Sequence, residues 1–244
     1  MDWIRLAVRR AARILGVCFV TVAVRGQSSH PAAPVPAAPT SAAQFVVVID
    51  PAHGGDDTGG HLSDGPFEKA ATLGMAGRLR SLLTARGFQV MMTRESDATV
   101  SPEQRATIAN RANPLACISL HTAETGSGVH LFASNLTPAP VTQFMPWKTA
   151  QAGWMTRSLA LTGVLNSALQ HAGVTVTLGR TALPGIDSMT CPAVAVELAP
   201  ERGSDRRIGA EPDNQDYQAQ VAGVLATALL QWRGEQANRG ARHP

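Results

Sequence analysis

The sequence predicts an α/β domain with a mixed, mainly parallel sheet of about five or six strands and helices on both faces. Three short apolar runs, each ending on a polar residue, carry that prediction: Val46–Ile49 before Asp50, Ala116–Leu120 before His121, and Ala193–Val196 before Glu197. Such continuous β-branched and apolar runs suit strands buried on both faces, as in parallel sheets. Longer stretches with helical spacing lie between and after them, as a wound α/β chain requires.

In order, the first strand runs out at Asp50-Pro51, because proline offers no N–H to the ladder. His53-Gly54-Gly55 follows, and the glycines allow a sharp turn beside the imidazole. A polar loop leads to a helix over about 67–86, with Met75, Leu79, Leu82 and Leu83 on its apolar face and Glu68 at its start, pointing at the sheet. Gly87 caps that helix, and a second strand covers 88–93. Ser101-Pro102-Glu103-Gln104 has the form of a capping box with proline in the first turn, and opens a helix that ends near Asn113-Pro114. The His121 strand comes next. Residues 128–133 read as a further strand, placed at an edge.

Residues 134–150 contain Pro138, Pro140 and Pro146 and read as irregular. Phe144, Met145 and Trp147 there form either a lid or, the preferred reading, a packed surface loop. A helix over 152–171 stops at Gly173, and 174–187 is short-strand or loop material before the Glu197 strand. A charged loop over 201–214 precedes a closing helix over 215–232, with Val221, Leu225 and Leu229 in register. Residues 233–244 read as a polar, disordered tail.

Residues 1–26 read as a signal peptide: a basic segment from Arg5 to Arg13, then an apolar stretch from Ile14 to Val24 that is short for a membrane span. An uncleaved anchor is the competing reading. Residues 27–44 are rich in Pro, Ala and Ser and read as a linker. The formal charge is +3, but the leader holds five arginines against Asp2, a net of +4, which leaves about −1 for the rest. That balance, with aromatics at 5%, excludes the basic stacking surface of a nucleic-acid binder. Cys117 and Cys191 remain after the leader. Export permits a disulfide between them, but two buried thiols is the preferred reading.

A lone histidine after a strand is ordinarily a hydrogen-bonded core or loop residue. His30, His61, His130, His171 and His243 are read that way. His53 and His121 stand apart, because both end apolar strands on one predicted rim, where open α/β sheets place their ligands. Glu68 and Glu197 join them there. Two histidines, one carboxylate ligand and one further carboxylate as base is the donor set of zinc hydrolases.

These motifs resemble the zinc-dependent N-acetylmuramoyl-L-alanine amidases of bacterial cell walls, amidase type 3, over about 45–232. Asp50-Pro51-Ala52-His53-Gly54-Gly55 is similar to the family's first metal motif, Glu68-Lys69 to its second and Ser119-Leu120-His121 to its third. The run from Pro192 to Glu197 resembles the strand bearing the catalytic glutamate. Thr93-Arg94, Asp97, Arg105 and Ala109-Asn110 also fall where the family has similar residues. The resemblance implies one zinc ion on His53, Glu68 and His121, with Glu197 as base. It implies peptidoglycan as partner, an exported location, and a monomer with no stable membrane span once the leader is cut. Asp56 is a candidate to fix the second ring nitrogen of His53. The chain departs from the family at Thr122-Ala123 and at Leu198-Ala199-Pro200-Glu201. Those departures keep open a catalytically impaired, peptidoglycan-binding or regulatory domain of the same fold. A third reading makes Glu68 and Glu197 a glycosidase pair.

Overall fold

The computed structural model describes residues 45–62, 65–142, 145–203, 205 and 207–242. The leader, the whole of the linker with His30, Phe144 and His243 lie outside them. Six strands form the main sheet: β1 (Val46–Pro51), β2 (Gln89–Met92), β3 (Ala116–Thr122), β4 (Val129–Ser134), β5 (Val176–Thr181) and β6 (Ala193–Leu198), in the order β2-β1-β3-β6-β4-β5. β2, β1, β3 and β6 are parallel, β4 is antiparallel to β6, and β5 is parallel to β4. The mixed, mainly parallel sheet with helices on both faces is therefore as expected. β4 lies inside the sheet, not at an edge, because 176–181 supplies a further strand outside it.

One face of the sheet packs against α1 (Glu68–Ala85), α3 (Met155–His171) and α5 (Gln215–Arg242). Val47, Ile49, Ile118, Leu120, Val194, Val196 and Leu131 from the strands meet Met75, Leu79, Leu83, Leu161, Leu165, Leu225 and Trp232 from the helices, and all are fully buried. The other face carries α2 (Pro102–Ala112) and the short α4 (Pro184–Asp187), with a 3₁₀ segment (Trp147–Gly153) packed against α4. Its core is smaller and built from small side chains: Val48, Ala106, Ala109, Ala193 and Ala195, with Ile186 and Met189. Cys117 and Cys191 belong to this cluster and form a disulfide, with Cα atoms 6.3 Å apart. The preference for two free thiols is thus corrected: β3 and β6 are hydrogen-bonded neighbours with Cys117 opposite Ala193, which brings Cys191 alongside.

The capping box forms as expected, with Gln104 N–H donating to Ser101 Oγ and the Gln104 side chain accepting from Ser101 N–H. Two expectations about the carboxyl-terminal third change. The charged loop holds a small hairpin, β7 (Glu201–Arg202) with β8 (Ile208–Ala210). The stretch after Trp232 is helical as far as Arg242, not disordered. Arg233 anchors it by donating to the Arg86 carbonyl and stacking over Phe45 and Phe88, while Arg157 donates to Gln236. Among the described residues, no helix is long and apolar enough to cross a membrane.

Candidate metal centre

The carboxyl ends of β1, β3 and β6 lie side by side, so the residues that leave them share one rim. His53 sits on the turn after β1 with φ of 60°, a left-handed conformation that is uncommon outside glycine. Two buried arginines hold that turn. Arg105 donates to Asp50 Oδ1 at 2.7 Å and to the carbonyls of Pro51 and His53; Arg94 donates to the carbonyls of Pro51, Ala52 and Lys69. Lys69 and Asp97 brace Gly55. Gly54, at φ 131°, lies against Ala98 and Arg94, where a side chain would collide. The residue that must be small beside the imidazole is Gly59: a Cβ there would lie 2.6 Å from His53 Cδ2 and 2.8 Å from Glu68 Oε2.

Glu68 enters from the first turn of α1 and is buried. Its Oε2 lies 3.1 Å from His53 Nε2, and its Oε1 lies 3.1 Å from His121 Nδ1. It also accepts from the Gly60 and Thr122 backbone N–H groups. Burial pushes the Glu68 carboxyl up, but hydrogen bonds from His121, His53 and the two amides outweigh it and hold it well below the carboxylate range. The hydrogen bond to Glu68 raises the His53 pKa, desolvation opposes it, and Asp57 adds to the rise.

The ring nitrogens have partners behind them. His53 Nδ1–H donates to Asp57 at 2.8 Å, so Asp57 fills the place expected of Asp56. The backbone bridge between Gly54 and Asp57 turns the later carboxylate back toward the ring. His121 Nε2 is 3.4 Å from Ser119 Oγ, which donates to Asp50 Oδ2. Asn110, on α2, ties the segment after α4 by bonding Ser188 O and Thr190 N–H.

One ligand atom from each of His53, Glu68 and His121 falls within 4.8 Å of the others. Around a tetrahedral ion with bonds of about 2.0–2.1 Å, donor atoms sit roughly 3.3 Å apart. Two imidazole nitrogens and a carboxylate, with Asp57 and Ser119 orienting the rings, fit such an ion.

Glu197 lies on β6 directly opposite His121 of β3. On its other side it is opposite His130 of β4, whose Nδ1 is 2.7 Å from Glu197 Oε1. The sequence marks His130 as an ordinary histidine; the structure instead puts it beside a candidate base, at the end of a row His121–Glu197–His130. His61 contacts Phe67 edge-on and His171 bonds the Ser167 carbonyl, as ordinary histidines do. A cavity of about 300 Å³ opens next to His53 and His121, with Val100, Pro102 and the Leu183–Ile186 segment as its apolar wall.

Comparison with known proteins identifies the family. The family model described as N-acetylmuramoyl-L-alanine amidase, Amidase_3, matches residues 47–231. The amidase AmiA of Escherichia coli K12 is 34% identical over 102 residues, which is 40% of this chain and 35% of that protein. The chain thus spans about a third of that relative's length. Rv3717 of Mycobacterium tuberculosis, an amidase of the same description, is 26% identical over 223 residues, covering 78% of this chain and 90% of that one. Among solved structures, the amidase of Clostridium difficile 630 superposes with a TM-score of 0.60 at 22% identity, over 78% of this chain and 97% of its own. Ami1 of Mycobacterium smegmatis gives 0.61 at 20%, with the same coverage; these two likenesses are of fold. The family model spans nearly the whole folded domain, and the chain belongs to the N-acetylmuramoyl-L-alanine amidase family of type 3.

Proposed function

We propose that the chain is an exported, monomeric zinc amidase that hydrolyses the amide between N-acetylmuramic acid and L-alanine in peptidoglycan. The observation that carries this reading is the meeting of His53 Nε2, His121 Nδ1 and the Glu68 carboxylate beside a second carboxylate, Glu197, on the adjoining strand. Family membership supplies the substrate class.

His53, Glu68 and His121 would hold the ion. When bound there, zinc supplies Lewis acidity, polarising a carbonyl and acidifying a water. Asp57 keeps the proton on His53 Nδ1, which presents Nε2 as the ligand atom. Arg94 and Arg105 hold the strained turn so that this nitrogen stays aimed. Glu197 takes the proton from the attacking water and returns it to the amine nitrogen as the C–N bond breaks. The cavity beside His53 and His121 suits a small apolar group next to the scissile amide.

The glycosidase reading is disfavoured by the state of Glu68. A glycosidase pair needs one carboxyl as acid and the other free to attack or to activate a water. The lowered Glu68 carboxyl does not suit the acid, and both of its oxygens are already taken, Oε1 by His121 and Thr122 N–H and Oε2 by His53 and Gly60 N–H. In the impaired-domain reading the changes after Glu197 would disable the site. Leu198 and Ala199 are fully buried, and Ala199 bonds Gly128 through its backbone, so these residues serve packing.

The test is digestion of purified sacculi by the full chain, reading new amines on L-alanine against new reducing ends. New amines are expected. The Glu197→Gln variant should keep its zinc and lose turnover by about 10³-fold, within the range for removal of a general base. New reducing ends, or parent-rate release by Glu197→Gln, would overturn the assignment.

A further inference from the structure

His130 and Glu197 face each other across the antiparallel pair β4–β6, with Nδ1 and Oε1 2.7 Å apart. Directly opposed residues in such a pair hold their Cβ atoms about 4.5–5.5 Å apart, so the contact is set by strand register and not by a flexible loop. His130 is mostly buried, at 14% side-chain exposure, against 26% for Glu197. Its ring meets Phe132 edge-on. On the far side it is covered by Gly126 at φ 98°, where a Cβ would lie 2.7 Å from Nε2. The Gly126 carbonyl accepts from Arg202, and Gly128 N–H donates to Pro200 O, so the loop that presses on the ring is itself tied to the end of β6.

We propose that His130 is the positioning residue for the base, and that it makes the two oxygens of Glu197 unequal. This rests on the amidase reading above. A carboxylate acceptor at Nδ1 requires the proton on that nitrogen, so Nδ1–H donates a charge-assisted bond to Oε1. Oε1 is thereby engaged, and Oε2 is the oxygen that carries the transferred proton. In the first step a water O–H bond breaks and Oε2–H forms as the water oxygen bonds to the carbonyl carbon; in the second Oε2–H breaks and the amine N–H forms as C–N cleaves and the carboxylate is left on the lactyl side. His130 keeps its own proton through both. The fixed carboxylate loses little rotamer freedom at the moment of transfer.

The experiment compares parent, His130→Leu, His130→Asn and Gly126→Ala in the full chain, with zinc content measured for each and kcat and KM measured on sacculi. His130→Leu removes the donor; kcat should fall on the order of 10–100-fold, with KM within about twofold and zinc unchanged. Asn can offer a side-chain N–H near the Nδ1 position, and His130→Asn should recover to within about fivefold of the parent. Gly126→Ala pushes the ring and should reproduce the kcat loss with His130 still present. A purely structural role would lower the active fraction alike in the Leu and Asn variants. Equal impairment of those two, or a parent-like kcat in His130→Leu, overturns the proposal while leaving the amidase reading intact. A parent inert on sacculi overturns both.

Discussion

The two faces of the sheet are made from alternate residues of the same strands, yet they do opposite work. On one face every strand residue named above is apolar and sealed under α1, α3 and α5. On the other, the same strands carry Val48 then Asp50, Cys117 then Ser119 then His121, and Ala195 then Glu197. That face begins as a small core and becomes polar toward the carboxyl rim. Its helices, α2 and the one-turn α4, cover it only in part, and the cavity opens between them. The lesson is one of division: large apolar burial on the sealed face tolerates a strained His53, a buried Glu68 and a buried Asp50–Arg105 pair on the rim.

Given this division, the open face needs reinforcement that the sealed face does not. The disulfide sits where side chains are small, and closes a separation of 74 residues. By chain entropy such a link is worth about 4 kcal/mol. Replacing both Cys117 and Cys191 with Ala is therefore expected to lower the unfolding free energy by about that amount in denaturant titrations. A loss under about 1 kcal/mol would mean that the small core holds unaided.

A cut on the sealed face should cost stability and spare chemistry. Leu165, fully buried on α3, lies in the large cluster. Leu165→Ala should cost about 3 kcal/mol, with zinc content and KM of the folded fraction unchanged. A shifted KM would show that the faces are coupled.

The smallest effect concerns pH in metal-free protein. The depressed Glu68 carboxyl contributes stability that is present above its ordinary 4.5 and lost as pH falls through its lower folded value. The raised His53 contributes stability that is present below its ordinary 6.5 and lost as pH rises through its higher folded value. The thermal midpoint of the metal-free chain should therefore be highest between those two values and fall on either side. A midpoint still rising well above 6.5 would contradict the His53–Glu68 contact.

Much of this was legible in the chain. β1, β3 and β6 are apolar runs ending on polar residues, and their position at the carboxyl ends of those runs placed His53, His121 and Glu197 on one rim. His130 was not legible, because its partner lies 67 residues away in sequence and the pairing depends on β4 inserting between β6 and β5. Asp57 was missed for Asp56 because the conformation of a glycine turn decides which carboxylate reaches the ring. The disulfide needed the neighbour relation of β3 and β6, which spacing along the chain does not reveal. The helix beyond Trp232 is held by Arg233 against Arg86, Phe45 and Phe88, and such a tertiary anchor leaves no mark on local composition.

The most direct test is zinc stoichiometry of the purified full chain after dialysis, for the parent, Glu197→Gln and His121→Ala, with circular dichroism confirming that each is folded. The expected result is one zinc per chain in the first two and almost none in the third. Equal zinc in folded His121→Ala, or none in a folded parent, would contradict a metal centre built from His53, Glu68 and His121.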